Sequence, residues 1–407
     1  MLRYLVVLFS FILLVSCAET KTANSLQKGI WRAELEVQDN KILPFTFEVN
    51  EDKTLTIFNA EERILVDEIE INGDSITIKA PVFEGYLAGI FTDDTTIKGD
   101  FVKESLDRIV PFTMSYGKTD RFAISKNQMA DLTGVWETVF SPNVEEDRYI
   151  AKGIFKQEKS GIVTGTFRTT TGDYRYLEGV LDGNELSLSA FDGGHAFLFT
   201  ATVTDSTMTG TFYSGNHFQE PFVAKRNANY ELPSDYSLTF LKEGYDKFEF
   251  SFPDVNGKMI SLEDNRFKDK VVLVQILGSW CPNCLDETKF YAPFYKENKE
   301  RGFEIVGLNF EYAKTKEKAI KSMNRLADKI GVEYPLLLAQ YGTSDKEEAA
   351  KKLPMLNHVL SYPTTIYIDK KGNVRKIHTG YNGPATGEKH LEFKKEFTAF
   401  IGELIAE

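Results

Sequence analysis

Cys281 and Cys284 are the residues whose type and spacing most plainly suit chemistry. They stand two residues apart in Trp280-Cys281-Pro282-Asn283-Cys284. That gap lets the two sulfurs close a small ring, so the pair can pass between dithiol and disulfide. The competing use of a CxxC pair is half of a zinc site, which needs two more ligands, usually a second CxxC or closely spaced histidines. The chain holds three cysteines in 407 residues, the third being Cys17. Its five histidines, at 195, 217, 358, 378 and 390, show no HxxxH-type spacing. No metal and no cofactor is therefore expected, and thiol–disulfide exchange is the chemistry the spacing favours.

Exchange needs one sulfur as a thiolate, because the thiolate is the attacking species. The flanking elements suit that need. Val271 to Leu277 is an apolar run rich in Val and Ile, which reads as a buried strand. Gly278 and Ser279 end it, and the CxxC pair opens a helix. The first sulfur then lies over the first helical turn, where unpaired N–H groups and the macrodipole favour negative charge. Glu287 follows one turn after Cys284, and Pro293 is expected to kink the helix.

These residues carry a resemblance. Trp-Cys-Pro-Asn-Cys after a Val-rich strand, Glu287 in a CxxCxxE pattern, and Ser361-Tyr-Pro-Thr-Thr-Ile-Tyr-Ile-Asp369 further on resemble a thioredoxin-fold protein. Within that superfamily the chain is most similar to the extracytoplasmic TlpA/ResA-like disulfide reductases, over the span from Leu238 to Glu407. The resemblance implies that Cys281 is the nucleophile and Cys284 the resolving thiol. It makes Pro363 a cis-proline facing the dithiol and has Tyr362 offer backbone to a substrate strand, with Trp280 and Pro282 beside it. One position departs from the thioredoxin pattern: a buried Asp six residues before the first Cys is here Gln275. Gln cannot take a proton, which leaves Glu287 or water as the base for resolution. The plain alternative for Glu287 is a solvated helix carboxylate. Peroxiredoxins share the fold, but their Pro-x-x-x-Thr/Ser-x-x-Cys pattern is absent around both cysteines.

The rest of the chain supplies a setting. Residues 1–17 read as an export signal, with Arg3 in the n-region and Leu5 to Val15 as the apolar h-region. Spanning a bilayer takes about 20 apolar residues, more than this run has. Leu14-Val-Ser-Cys17 matches a bacterial lipobox, which implies lipidation of Cys17 and a membrane anchor, with residues 18–26 as tether. The cell envelope is a place where disulfides form and persist. Asp and Glu outnumber Lys and Arg by 60 to 48, a net charge of −12. That balance, with no basic patch or glycine-rich phosphate loop, argues against nucleic acid.

Residues 27–226 read as β throughout, with short alternating runs and turn pairs such as Asn72-Gly73 and Asp182-Gly183. This half looks duplicated. Gly29-Ile-Trp31 is answered by Gly134-Val-Trp136, Gly99-Asp-Phe101 by Gly210-Thr-Phe212, and Pro111-Phe112 by Pro221-Phe222. Matches in the same order at a near-constant offset indicate an internal repeat. The division predicted is a β copy at 27–125, a second at 126–226, a linker at 227–237 and a thioredoxin-like α/β domain at 238–407. Each β copy is expected to be a meander sheet or a lipocalin-like barrel. Phe191-Asp-Gly-Gly-His-Ala196 and its counterpart Phe83-Glu-Gly-Tyr-Leu-Ala88 read as ordinary hairpin loops. The β half is expected to space the redox domain from the membrane or to hold substrates near it.

The function expected is an envelope thiol–disulfide oxidoreductase acting as a reductant on disulfide-containing proteins, re-reduced by an electron donor of the membrane or envelope. A thiol peroxidase and a binding protein with a vestigial dithiol are the alternatives.

Overall fold

The structure is a computed structural model that describes residues 25–407. Cys17, the signal segment and most of the tether lie outside the described residues. Among those described, no helix is long and apolar enough to cross a membrane.

The N-terminal half is antiparallel β, as alternation of buried and exposed residues demands. Its first sheet has nine strands from Gly29 to Tyr116 and winds as a meander. The first strand, Gly29–Glu36, pairs with the last, Arg108–Tyr116, while Glu62–Val66 and Ile69–Asn72 form the two edges. The second sheet runs from Gly134 to Arg226 and closes on itself. There Tyr149–Gln157 pairs with both Gly134–Phe140 and Ile162–Thr169, and only the short strand Gly172–Asp173 hangs outside the ring. One copy is thus an open meander and the other a closed barrel.

The repeat is visible in atomic detail. Trp31 and Trp136 are both fully buried. Each donates its indole N–H to the carbonyl four residues earlier, Gln27 at 2.8 Å and Leu132 at 2.9 Å. Gly99 lies opposite Phe112 across the strands, as Gly210 does opposite Phe222.

The C-terminal part holds a five-stranded sheet with Val271–Leu277 in the middle. That strand runs parallel to Phe303–Phe310 on one side and antiparallel to Thr364–Ile368 on the other. All seven of its residues are buried, and each large apolar side chain so buried contributes about 1.5–3 kcal/mol. A helix from Pro282 to Asn298 follows the strand and runs through Pro293 to its end. Lys316–Ile330 and Glu388–Ala406 are the other long helices. The last of these buries Phe393, Phe397, Ile401 and Leu404 against the sheet. The hairpin read around Asn256-Gly257 pairs Ser251–Pro253 with Met259–Ser261.

Packing ties both residues 227–237 and the β half to the redox part. The stretch 227–237 is pinned down: Asp235 is buried, accepts from the Asn382 amide at 3.1 Å, and lends its carbonyl to Thr379 N–H at 2.8 Å. The β half does not merely space the redox domain, for it lies directly on it. Val82 and Phe83 of the first copy share one apolar core with Cys281, Cys284 and Tyr362. The two copies also touch, where Phe45 and Phe191 stack with ring centroids 4.2 Å apart.

Candidate functional site

The site begins with the turn that ends Val271–Leu277. Gly278 is needed there, since a Cβ would stand 2.3 Å from the Trp280 indole nitrogen. The buried carboxylate of Glu311 fastens the turn, accepting from Ser279 N–H at 2.8 Å and the Ser279 hydroxyl at 2.7 Å. The Trp280 indole N–H donates to the Phe310 carbonyl at 2.9 Å. Cys281 is then delivered as the N-cap of the helix, with Pro282 as its first residue. Proline suits that position because its missing N–H would be unpaired there anyway.

The Cys281 sulfur accepts from the Cys284 N–H at 3.2 Å and donates to the Tyr362 carbonyl at 3.3 Å. A helix-start N–H aimed at the sulfur favours negative charge on it. The Tyr362–Pro363 bond is cis. Both cysteines are free thiols; Cys281 is 6% exposed and Cys284 is not exposed at all. Burial, and then its hydrogen bond to Cys281, push the Cys284 thiol well above its ordinary range.

Glu287 is fully buried, not solvated. It accepts from the Gln275 side-chain amide at 2.8 Å, the Thr365 hydroxyl at 2.9 Å and the Tyr291 hydroxyl at 3.0 Å. Gln275 and Thr365 are direct neighbours across the central strands, so register places both donors on one carboxylate. Burial raises the Glu287 pKa to about 7, against the pull of those three donors. Gln275 thus replaces an acid with a donor that holds a different acid.

The residue the sequence left unmarked is Arg175, which joins all three parts of the chain. Its guanidinium meets Asp286 of the dithiol helix, Glu62 of the first β copy and Asp192 of the second. It also donates to the Pro282 carbonyl at 3.4 Å. Burial opposes its charge, but Asp286, Glu62 and Asp192 outweigh burial and hold its pKa well above normal. Nearby, Asn283 donates to the Asp173 carbonyl at 3.2 Å, and the Ser361 hydroxyl to the Thr171 carbonyl at 2.7 Å. Gly194, in the loop read as a plain hairpin, leaves no room for a side chain, since a Cβ would stand 2.9 Å from the Pro282 ring. Pro282 and Asn283 are therefore covered by the β half, whereas Trp280 borders a cavity. No local pattern marks Arg175, because two of its partners, Asp286 and Glu62, lie 111 and 113 positions away. Glu311 offers a faint signal, an acid directly after an apolar strand.

The AhpC/TSA family profile matches residues 244–377. Thioredoxin-like protein YneN of Bacillus subtilis (strain 168) is 29% identical over 140 residues, 34% of this chain and 73% of that protein. Thiol-disulfide oxidoreductase ResA of the same organism is 31% identical over 140 residues, 34% of this chain and 69% of its own length. The chain belongs to the ResA-like family of the thioredoxin superfamily. It is a thiol-disulfide oxidoreductase. Among solved structures, a thiol-disulfide oxidoreductase from Bacteroides fragilis NCTC 9343 matches 37% of this chain and 99% of its own, at 24% identity and a TM-score of 0.27. The residues of this ResA-like chain that the family profile matches lie in the C-terminal part, and the β half that roofs the dithiol lies outside that match.

Proposed function

We propose that this chain is an extracytoplasmic protein-disulfide reductase, anchored to a membrane by lipid on Cys17 and working through the Cys281–Cys284 dithiol. The observation that carries the reading is the Cys281 sulfur at the helix start, between the Cys284 N–H and the Tyr362 carbonyl, one turn and a half from a buried carboxyl group. In the first step the Cys281 thiolate attacks one sulfur of a substrate disulfide. The substrate S–S bond breaks, a mixed disulfide forms, and the released substrate thiolate takes up a proton. In the second step Glu287 accepts the Cys284 proton, and the Cys284 thiolate attacks the Cys281 sulfur. The mixed disulfide breaks, the substrate leaves with two added electrons, and the enzyme keeps an intramolecular disulfide. A dithiol donor of the envelope then returns the enzyme to its reduced form. Trp280, Tyr362 and Pro363 lie beside the sulfurs in this scheme and guide the substrate, whereas Pro282, expected to share that role, is capped by Gly194 of the β half.

Trapping tests the roles. Cys284→Ser should accumulate mixed disulfides with its clients, and Cys281→Ser should accumulate none; equal trapping by both would refute the assignment. Direction is read from the potential in a thiol–disulfide buffer. A reductant should lie nearer thioredoxin's value of about −270 mV than the value of about −120 mV typical of a strong oxidant.

A further inference from the structure

We propose that the cavity beside Trp280 is an anion subsite, and that the disulfide reduced here carries a carboxylate close to its S–S bond. The proposal deepens the reading of Cys281 as nucleophile and rests on it. The cavity measures about 210 Å³ and is built by all three parts of the chain. The first β copy contributes Lys103 and Arg108, the second His195 and His217, and the redox domain Trp280 and Tyr312. No Asp or Glu lines it, although acids outnumber bases by 60 to 48 in the chain.

The cations are not spoken for. Lys103 gives one hydrogen bond, to the Gly194 carbonyl at 2.8 Å, and an ammonium has three donors to give. Arg108 is half-buried and has no carboxylate in ion-pair reach among the described residues. Burial and the neighbouring Arg108 lower the Lys103 pKa to about 8. Partial burial, with Arg108 and Lys103 beside it, lowers His217 to about 4. Asp192 and Glu84, which lie outside the lining, offset only part of the penalty on Lys103, whose pKa stays lowered, and an incoming anion would relieve more of it. A volume below the roughly 300–1,000 Å³ of small-molecule sites suits a carboxylate arm of one or two residues rather than a whole cofactor. The cavity is coupled to the sulfur through Trp280, whose ring meets Tyr362 edge-on at 5.6 Å, and Tyr362 in turn accepts from Cys281.

The carboxylate can come from an acidic peptide segment or from a free low-mass disulfide, and two matched pairs of substrates separate these sources. Reduced wild-type chain and Arg108→Gln are offered a disulfide peptide with Glu flanks and its Gln counterpart. They are also offered dithiobis(nitrobenzoate), which carries carboxylates, and dithiodipyridine, which does not. Wild type should show a kcat/KM about tenfold higher for the charged member of at least one pair, the size expected of one charged hydrogen bond. Whichever pair shows it identifies the source. Arg108→Gln should abolish that preference and leave the neutral substrates unchanged, and added salt should shrink it in the wild type. Equal rates within both pairs, or an equal loss on all four substrates in Arg108→Gln, would overturn the subsite while leaving the nucleophile intact. Failure of the wild type to react with dithiodipyridine would overturn the nucleophile and the subsite together.

Discussion

Glu287 has three hydrogen-bond donors, is fully buried, and among the described residues has no cation acting on it. The donors favour its charge and burial disfavours it more, which sets its pKa at about 7. Below that pH it is protonated and cannot take the Cys284 proton; above it the base is available. The rate at which a mixed disulfide on Cys281 collapses should therefore rise with pH through about 7. In Glu287→Gln the inflection should vanish and the rate at pH 8 should fall about a hundredfold, as rapid-quench measurement would show. The same group carries a stability cost of known sign. Its ordinary value is 4.5, so as pH rises from there to 7 the unfolded chain ionises first and folding loses roughly 3 kcal/mol. Urea midpoints of the wild type should fall further over that window than those of Glu287→Gln, in which Asp173, raised by burial to about 6, still contributes a smaller fall.

The helix Pro282–Asn298 has its first turn held from two sides. The Gly278–Trp280 turn sets its entry, and Arg175 holds it from the β half through Asp286 and the Pro282 carbonyl. Removing the guanidinium would strand Glu62, Asp192 and Asp286 in a buried place, and breaking such a group costs about 3–5 kcal/mol. Arg175→Met should lose that amount in chemical denaturation. Arg175→Lys should recover only part of it, because one ammonium cannot reproduce a planar fork directed at three carboxylates.

Across the whole molecule, the β half and the redox part form one body around the dithiol. Gly194 rests on Pro282, Thr171 holds Ser361, and Arg325 and Lys329 of the helix Lys316–Ile330 pair with Glu68 and Asp67 of the first copy. Cys281 is consequently nearly closed to solvent. A bulky residue at 194 has no space unless the β loop lifts away. Gly194→Leu should therefore raise the rate at which iodoacetamide alkylates reduced Cys281, with little change in secondary structure by circular dichroism. An unchanged alkylation rate would show that this loop does not guard the sulfur.

What could be read from the chain alone is what depends on near neighbours in sequence. A β-branched run, a glycine, a CxxC pair and a proline at the first helical position specify strand, turn and capped sulfur within fourteen residues. The repeat was legible for the same reason, since each copy rewrites its own Trp, Gly and Phe pattern. Tertiary structure decided the rest. Glu287 looks like a surface acid until Gln275 and Thr365 are brought beside it by strand register. The Arg175 junction and the basic cavity at Trp280 draw residues from three parts of the chain, and no periodicity encodes a contact between residues a hundred or more positions apart. Whether a β copy closes into a barrel likewise depended on which strands meet: Ile162–Thr169 pairs onward with Leu177–Asp182 in the second copy, while Glu62–Val66 and Ile69–Asn72 stay as edges in the first, a choice that the alternation of side chains leaves undetermined.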